Sequence, residues 1–185
     1  MNPILKTCAV TILGTLVLSL QAVAADNPYK SAKVGEWVET VSTSETMGGK
    51  MEMKMKRTVV AKDAVSVTLR TVATMMGREM PPQDAKIMFD QPYQPYVQGD
   101  SDAKVTTLDE GDETITVSGK SYKCNWAKVK VVATKPMPME STVKAWSSKD
   151  IPLGGIVKME SESVMSMEGT TMNSKTTMTL TGFGR

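Results

Sequence analysis

Between Lys50 and Lys56 the chain alternates without a break, running Lys, Met, Glu, Met, Lys, Met, Lys. In an extended strand successive side chains project to opposite faces, so Met51, Met53 and Met55 share one face and the charges share the other. On a helix these positions would be spread around the axis, so the segment predicts a half-buried β-strand. The same period recurs along the chain, carried by Thr, Val and Met, with few helix-period patterns. β-Branched side chains are stiff at χ1 and fit a pleated surface, which strengthens the strand assignment.

Strands are expected over Trp37 to Ser44, Lys50 to about Val60, from Val65 through Leu69, Ala85 to Phe89, Lys104 to Leu108, Thr114 to Val117, Tyr122 to Ala133 and Ser141 to Trp146. Ile156 to Met167 and Met172 to Leu180 form an expected closing hairpin around Gly169. Turns fall at Gly48-Gly49, Lys62-Asp63, Gly77, Gly99 to Asp102, Glu110-Gly111-Asp112 and Ser118-Gly119-Lys120. Pro81 and Pro82 exclude a central strand there, because proline cannot donate to a ladder. Gln91 to Tyr96 and Asp150 to Gly155 are expected to be ordered loops, and a short helix has room near residue 25 or around Pro82 to Lys86. Tyr122, Cys124 and Trp126 have the opposite parity to Val129 and Val131, which predicts a bulge near Ala127. The expectation is a mainly β fold: a single antiparallel meander of about ten strands, curved into a half-barrel, barrel or sandwich, with little helix.

The amino terminus predicts export. Lys6 supplies a positive start, Cys8 to Leu20 is largely apolar, and Ala22-Val23-Ala24 is a small-residue cleavage site. The apolar run is about 13 residues, short of the roughly 20 that cross a bilayer. Residues 1–24 are read as a signal peptide and 25–185 as a single β-rich domain in the periplasm or outside the cell, with no further membrane-spanning segment. Losing Lys6 from the 22 basic residues leaves 21 against 20 acidic, interspersed throughout, so the composition gives no nucleic-acid footprint. Cys8 leaves with the signal, so Cys124 has no cysteine partner within the remaining chain.

There is no histidine, which removes Ser-His-Asp and Cys-His catalysis and most catalytic zinc and blue-copper sites. No nucleophile elbow, phosphate loop or dinucleotide fingerprint occurs. The paired carboxylates Asp109-Glu110 and Asp112-Glu113 read as solvated turn charges, so no enzyme activity, catalytic residue or cofactor is expected.

Methionine is the outlier, with 16 in the chain, clustered as Met51/Met53/Met55, Met75/Met76/Met80, Met137/Met139 and Met165/Met167/Met172. The thioether is flexible and polarizable, and suits irregular gaps and adaptable apolar surfaces. Met51, Met53 and Met55, with Trp37, Trp126, Trp146, Tyr93 and Tyr96, are the candidate residues of an apolar ligand-binding face. Thioethers are also soft ligands suited to Cu(I), and Met51, Met53, Met55, Met165, Met167 and Cys124 are the alternative metal set.

Tyr122-Lys123-Cys124-Asn125-Trp126, the run from Val143 to Lys158 containing Trp146 and Ile151-Pro152-Leu153-Gly154-Gly155, and Leu180-Thr181-Gly182-Phe183-Gly184 resemble small uncharacterised secreted bacterial proteins of planctomycete type. That resemblance implies no activity. The tryptophan strand leading into a Pro-Leu-Gly loop and a strand pair is more distantly similar to periplasmic lipoprotein carriers of the LolA type, which implies a curved antiparallel sheet holding acyl chains beneath helices. No convincing helical lid segment is present here, and no family functional residue maps onto the chain.

The sequence thus points to a non-catalytic exported binding or carrier protein for an apolar or lipid-like ligand. A methionine-based Cu(I) handler and a cell-envelope structural or protein-interaction module are the alternatives. The partners implied are an apolar small molecule or lipid, or an envelope protein. Intact-mass measurement of the exported protein is expected to place its first residue at Ala25; a chain that keeps residues 1–24 contradicts the signal assignment.

Overall fold

The computed structural model describes residues 27–46, 48–91, 93, 95–96, 102–134, 138–167 and 170–185. The expected signal peptide, the Gly99 to Ser101 part of a turn, Met137 and Gly169 lie outside them. A short 3-10 helix, Pro28–Ser31, precedes ten strands: β1 Trp37–Thr46, β2 Gly49–Lys62, β3 Ser66–Met75, β4 Arg78–Glu79, β5 Gln83–Met88, β6 Lys104–Val117, β7 Lys120–Ala133, β8 Met139–Ser147, β9 Ile156–Met167 and β10 Thr170–Gly184. All belong to one antiparallel sheet in the order β4, β3, β2, β1, β10, β9, β8, β7, β6, with β5 also pairing with β3. The sheet is open.

The order has a consequence for the chain path. β1–β5 and β6–β10 are two runs of neighbouring strands, and the last strand joins the first over the register from Trp37 opposite Gly184 to Thr46 opposite Ser174. The edges are therefore β4 and β5 on one side and β6 on the other. Tyr93 and Tyr96, which lie in sequence between β5 and β6, pack on the face that carries Met51, Met53 and Met55, here called the inner face. Tyr93 joins the core cluster of Val38, Val59, Leu69 and Leu180, and Tyr96 packs on Val129, Val131 and Val143.

Four strand pairs contain a register shift, and three of these, at Glu39/Thr40, Val59/Ala61 and Trp146/Ser147, lie at the end of the sheet where β1 begins. An extra residue bends its strand and increases the local twist. That end curls over the main core, where Val59, Val67, Val157 and Leu180 are almost wholly buried. Tyr29 from the 3-10 helix and Ile151 and Leu153 from the β8–β9 loop close it. Asn27 ties the chain start to the end of β5: its Nδ2 donates to the carbonyls of Met88 and Gln91 at 3.3 and 3.2 Å. Lys62 Nζ donates to the carbonyls of Lys30 and Ala32 at 2.6 and 2.9 Å, satisfying acceptors at the end of the short helix.

Several expectations change. Glu110-Gly111-Asp112 is not a turn but the middle of the continuous strand β6. Gly111 stands opposite Trp126, and a Cβ there would lie 3.1 Å from the indole nitrogen. The glycine makes room for the ring rather than for a change of direction. Asp109, Glu110, Asp112 and Glu113 are accordingly strand residues. The expected bulge near Ala127 sits instead on β6, at Leu108, while β7 keeps an unbroken register with β8. The parity change along β7 has another cause: Cys124 and Trp126 pack with the main core cluster, and Val129 and Val131, of the opposite parity, with a second cluster. Val65 lies in the turn before β3, and 83–88 is strand rather than helix. Ser118-Gly119 and Met76-Gly77 are two-residue connections with positive φ at both positions, 49° and 75°, and 51° and 77°, as hairpins of this length prefer.

The β8–β9 loop supplies a test. Gly154 has φ +96°, and a Cβ there would lie 2.1 Å from the Tyr93 hydroxyl; Gly77 has φ +77° and open space around it. Gly77→Ala is expected to cost about 1–2 kcal/mol from backbone strain alone. Gly154→Ala adds a displaced tyrosine and is expected to cost about 3 kcal/mol or more. Urea-unfolding midpoints of the two variants check the order.

Candidate functional site: a methionine-lined inner face

Directly opposed residues in neighbouring strands lie on the same face, so the pairing register reads out each face row by row. One inner row runs Met75, Met53, Ser42, Met178, Met159, Ala145, Ala127 across seven strands from β3 to β7. The next runs Met51, Ser44, Thr176, Ser161, Val143, Val129. A third runs Ser174, Ser163, Ser141, Val131. On the other side of the first row stand Ala73, Met55, Thr40 and Leu180.

Two properties follow from these residue types. The centre of the face is floored by small side chains. Two pairs of hydroxyls also bond across strands: Ser44 Oγ and Thr176 Oγ1 are 3.0 Å apart, Ser141 Oγ and Ser163 Oγ 2.7 Å. With these hydroxyls paired, the floor presents mainly methyl, methylene and thioether groups. Among the described residues the methionines stay out of the buried core, whose apolar members are Val, Leu, Ile, Tyr, Trp, Ala and Cys. Met53, Met55, Met75, Met159 and Met178 are half-buried and Met51 is 49% exposed. Flexible apolar side chains on a half-open face form an adaptable surface.

Tyr93, Pro95 and Tyr96 lie over one end of this face. A cavity of about 530 Å3 lies between them and the sheet, where Ala127, Ala145 and Ile156 line it together with Trp126 and the polar Glu110, Asp112 and Asn125. Tyr93 is held by an edge-to-face contact with Tyr29, ring centroids 5.6 Å apart, and its hydroxyl donates to the Gly154 carbonyl at 3.5 Å. Burial pushes both phenols upward from their ordinary range, and for Tyr93 the neighbouring Tyr29 adds to it. These rings are neutral packing groups at neutral pH.

Of the three expected tryptophans, Trp126 borders this cavity, and Trp37 and Trp146 do not. Trp37 lies on the outer face across Gly182 and Gly184, where a Cβ would approach its ring to 3.3 and 3.1 Å, with Lys56 Nζ 4.4 Å from the ring centroid. Trp126 and Trp146 oppose each other on the outer face, and Lys144 Nζ sits 4.1 and 4.5 Å from their centroids. Trp146 donates its indole N–H to Glu113, which also accepts from Lys144 at 3.4 Å. The tryptophans cover the outside of the sheet and position its charges. Met51, Met53 and Met55 share the inner face as expected, and Tyr93 and Tyr96 bound the cavity at its end.

The sheet does not bring together the alternative Cu(I) set. Met51, Met53 and Met55 are on β2 and Met165 on β9, three inter-strand steps (about 14 Å) across the sheet and at least four residues farther along it. Cys124 lies on the opposite face, buried, with burial and then the Glu113 charge pushing its thiol up. The side chain of Met167 lies outside the described residues. Sequence reasoning missed Met75, Met159 and Met178 as members of the inner face. Each has the right parity in its own strand, but only the strand order shows that they fall in one row.

No family model matches the chain, and no curated protein matches it in sequence. Among solved structures it is similar to a candidate lipoprotein of Parabacteroides distasonis, at 14% identity and TM-score 0.45 over 82% of this chain and 96% of that one. It is similar to a candidate exported protein of Bacteroides fragilis with a YmcC-like fold, at 12% identity and TM-score 0.45 over 83% and 97%. A LolA superfamily protein of Nitrosomonas europaea is similar at 8% identity and TM-score 0.23 over 88% and 91%.

The outer-face cluster gives a pH test. The Trp146 indole first, and Lys144 with it, hold the Glu113 carboxyl below its ordinary value of 4.5. A carboxylate lowered in the fold stabilises it above the unfolded value and loses that effect as pH falls through the folded one. Glu113→Gln is therefore expected to be less stable than the parent at pH 7. The gap should close as pH falls below about 4. Urea midpoints at pH 7 and pH 3 measure it.

Proposed function

We propose that this chain is an exported, non-catalytic carrier that holds an elongated apolar ligand, such as an acyl chain, along its inner face. The observation that carries this reading is the row from Met75 to Ala127: seven strands placing apolar or small side chains on one accessible surface. Six inter-strand steps span roughly 29 Å. Each 100 Å2 of apolar surface removed from water there contributes about 2.5 kcal/mol. The gain offsets the cost of immobilising a flexible chain only when the contact is long, and the row provides that length. Thioethers adjust to a ligand of variable shape, which suits a carrier better than the rigid packing of a catalytic cleft. Among the described residues the adjacent carboxylates of β6 serve the fold: Glu113 accepts from Trp146 and Lys144, and Asp112 accepts from Asn125. No helix of the described residues is long and apolar enough to cross a membrane. Export follows from residues 1–24 as read above.

Native mass spectrometry of the protein purified from its own envelope tests this. A lipid adduct is expected, and Ser42→Arg or Met178→Arg on the inner face is expected to reduce its occupancy at least tenfold. Thr43→Arg, on the outer face, is expected to keep it. Circular dichroism confirms that each variant is folded. Absence of an adduct, or equal loss in Thr43→Arg, contradicts the carrier reading.

A further inference from the structure

At the end of the sheet remote from the main core, three methionines from three consecutive strands stand in one line. Met172 of β10 is opposite Met165 of β9, and Met165 is opposite Met139 of β8. Elsewhere on the inner face the described methionines oppose one another only in pairs, Met53 with Met75 and Met159 with Met178. Directly opposed residues have Cβ atoms about 4.5–5.5 Å apart, and rotation about Cα–Cβ and Cβ–Cγ swings each methionine sulfur. Three thioethers so placed can turn toward a common point above Met165.

The register there is anchored. The Ser166 N–H donates to the Pro138 carbonyl at 3.3 Å, fixing the start of β8 against β9, and the adjoining inner row is tied by the Ser141 and Ser163 hydroxyls. The three side chains are accessible: Met139 and Met165 are half-buried and Met172 is 40% exposed. The adjoining inner positions are Ser141, Ser163 and Ser174, which bring no charge. Glu140, Val164 and Asn173, next along the strands, have the opposite parity and belong to the outer face.

We propose that Met139, Met165 and Met172 form a binding site for one soft monovalent metal ion, Cu(I) or its redox-inert analogue Ag(I). Three neutral thioethers supply polarizable donors and no negative charge. That set favours a soft, singly charged ion over Zn2+, which binds thiolate, imidazole or carboxylate donors. The site is distinct from the methionine and cysteine set suggested by sequence spacing, sharing only Met165 with it. It does not depend on the carrier reading, since it occupies another row of the face.

The test is anaerobic titration with Cu(I) against a chromophoric chelator, paired with Ag(I) titration followed by NMR of 13C-methyl methionine. One ion per chain is expected, with the Met139, Met165 and Met172 methyl signals shifting together. Met139→Leu, Met165→Leu and Met172→Leu conserve volume, and each is expected to weaken binding at least tenfold. The paired variant Met53→Leu/Met75→Leu and the variant Cys124→Ala are expected to leave it unchanged. No ion retained against the chelator overturns the site. So do Ag(I)-induced shifts spread over all the methionines, or binding lost equally in Cys124→Ala.

Discussion

The pairing of β10 with β1 is the contact on which the architecture depends. Each half of the chain, β1–β5 and β6–β10, forms its own neighbour-to-neighbour strand ladder, and neither half fixes where the other lies. The β1–β10 register places Ser42 opposite Met178 and Thr40 opposite Leu180, which aligns the methionines of β2 and β3 with those of β9. Side chains alternate with a period of two, so a slip of one residue at this seam would send the Met159 and Met178 side to the opposite face from Met53 and Met75. The bulge between Leu180 and Gly182 helps fix the seam, and Trp37 lying across Gly182 and Gly184 covers it from outside.

The same seam sets the two sheet edges apart. Tyr93 and Tyr96 cover one end of the inner face, and Tyr93 is held by Tyr29 and by the positive-φ backbone of Leu153, Gly154 and Gly155. The faces divide their tasks. Outside, tryptophans lie over glycines and hold lysines and Glu113 in place. Inside, hydroxyls pair with one another and leave thioethers and methyl groups toward the open space. Small residues at the floor and flexible ones around it give a surface that can follow the shape of an apolar guest.

Much of the fold was legible because alternation is a local property. Lys50 to Lys56 alone identifies a strand and assigns its faces, and Ser118-Gly119 identifies a hairpin. Local composition misleads where a residue answers to a distant partner. Gly111 beside two acidic residues resembles a turn, but its lack of a side chain answers to Trp126 on the next strand. Trp37 and Trp146 looked like members of the apolar face because apolar size is visible in sequence and parity relative to another strand is not. For the same reason Met75, Met159 and Met178 were missed, and the expected metal set joined residues that the strand order and register keep more than about 14 Å apart. The line of Met139, Met165 and Met172 is visible only once β8, β9 and β10 are known to be neighbours.

The central claim is that methionines far apart in sequence form one accessible apolar surface. NMR of the 13C-methyl methionine signals during titration with dodecanoate, below its micelle concentration, addresses it directly. The account expects the Met53, Met75, Met159 and Met178 signals to move together and saturably, while Met76 and Met80, beyond the end of β3, stay still. No saturable shift, or shifts as large at Met76 and Met80 as in the row, would contradict it.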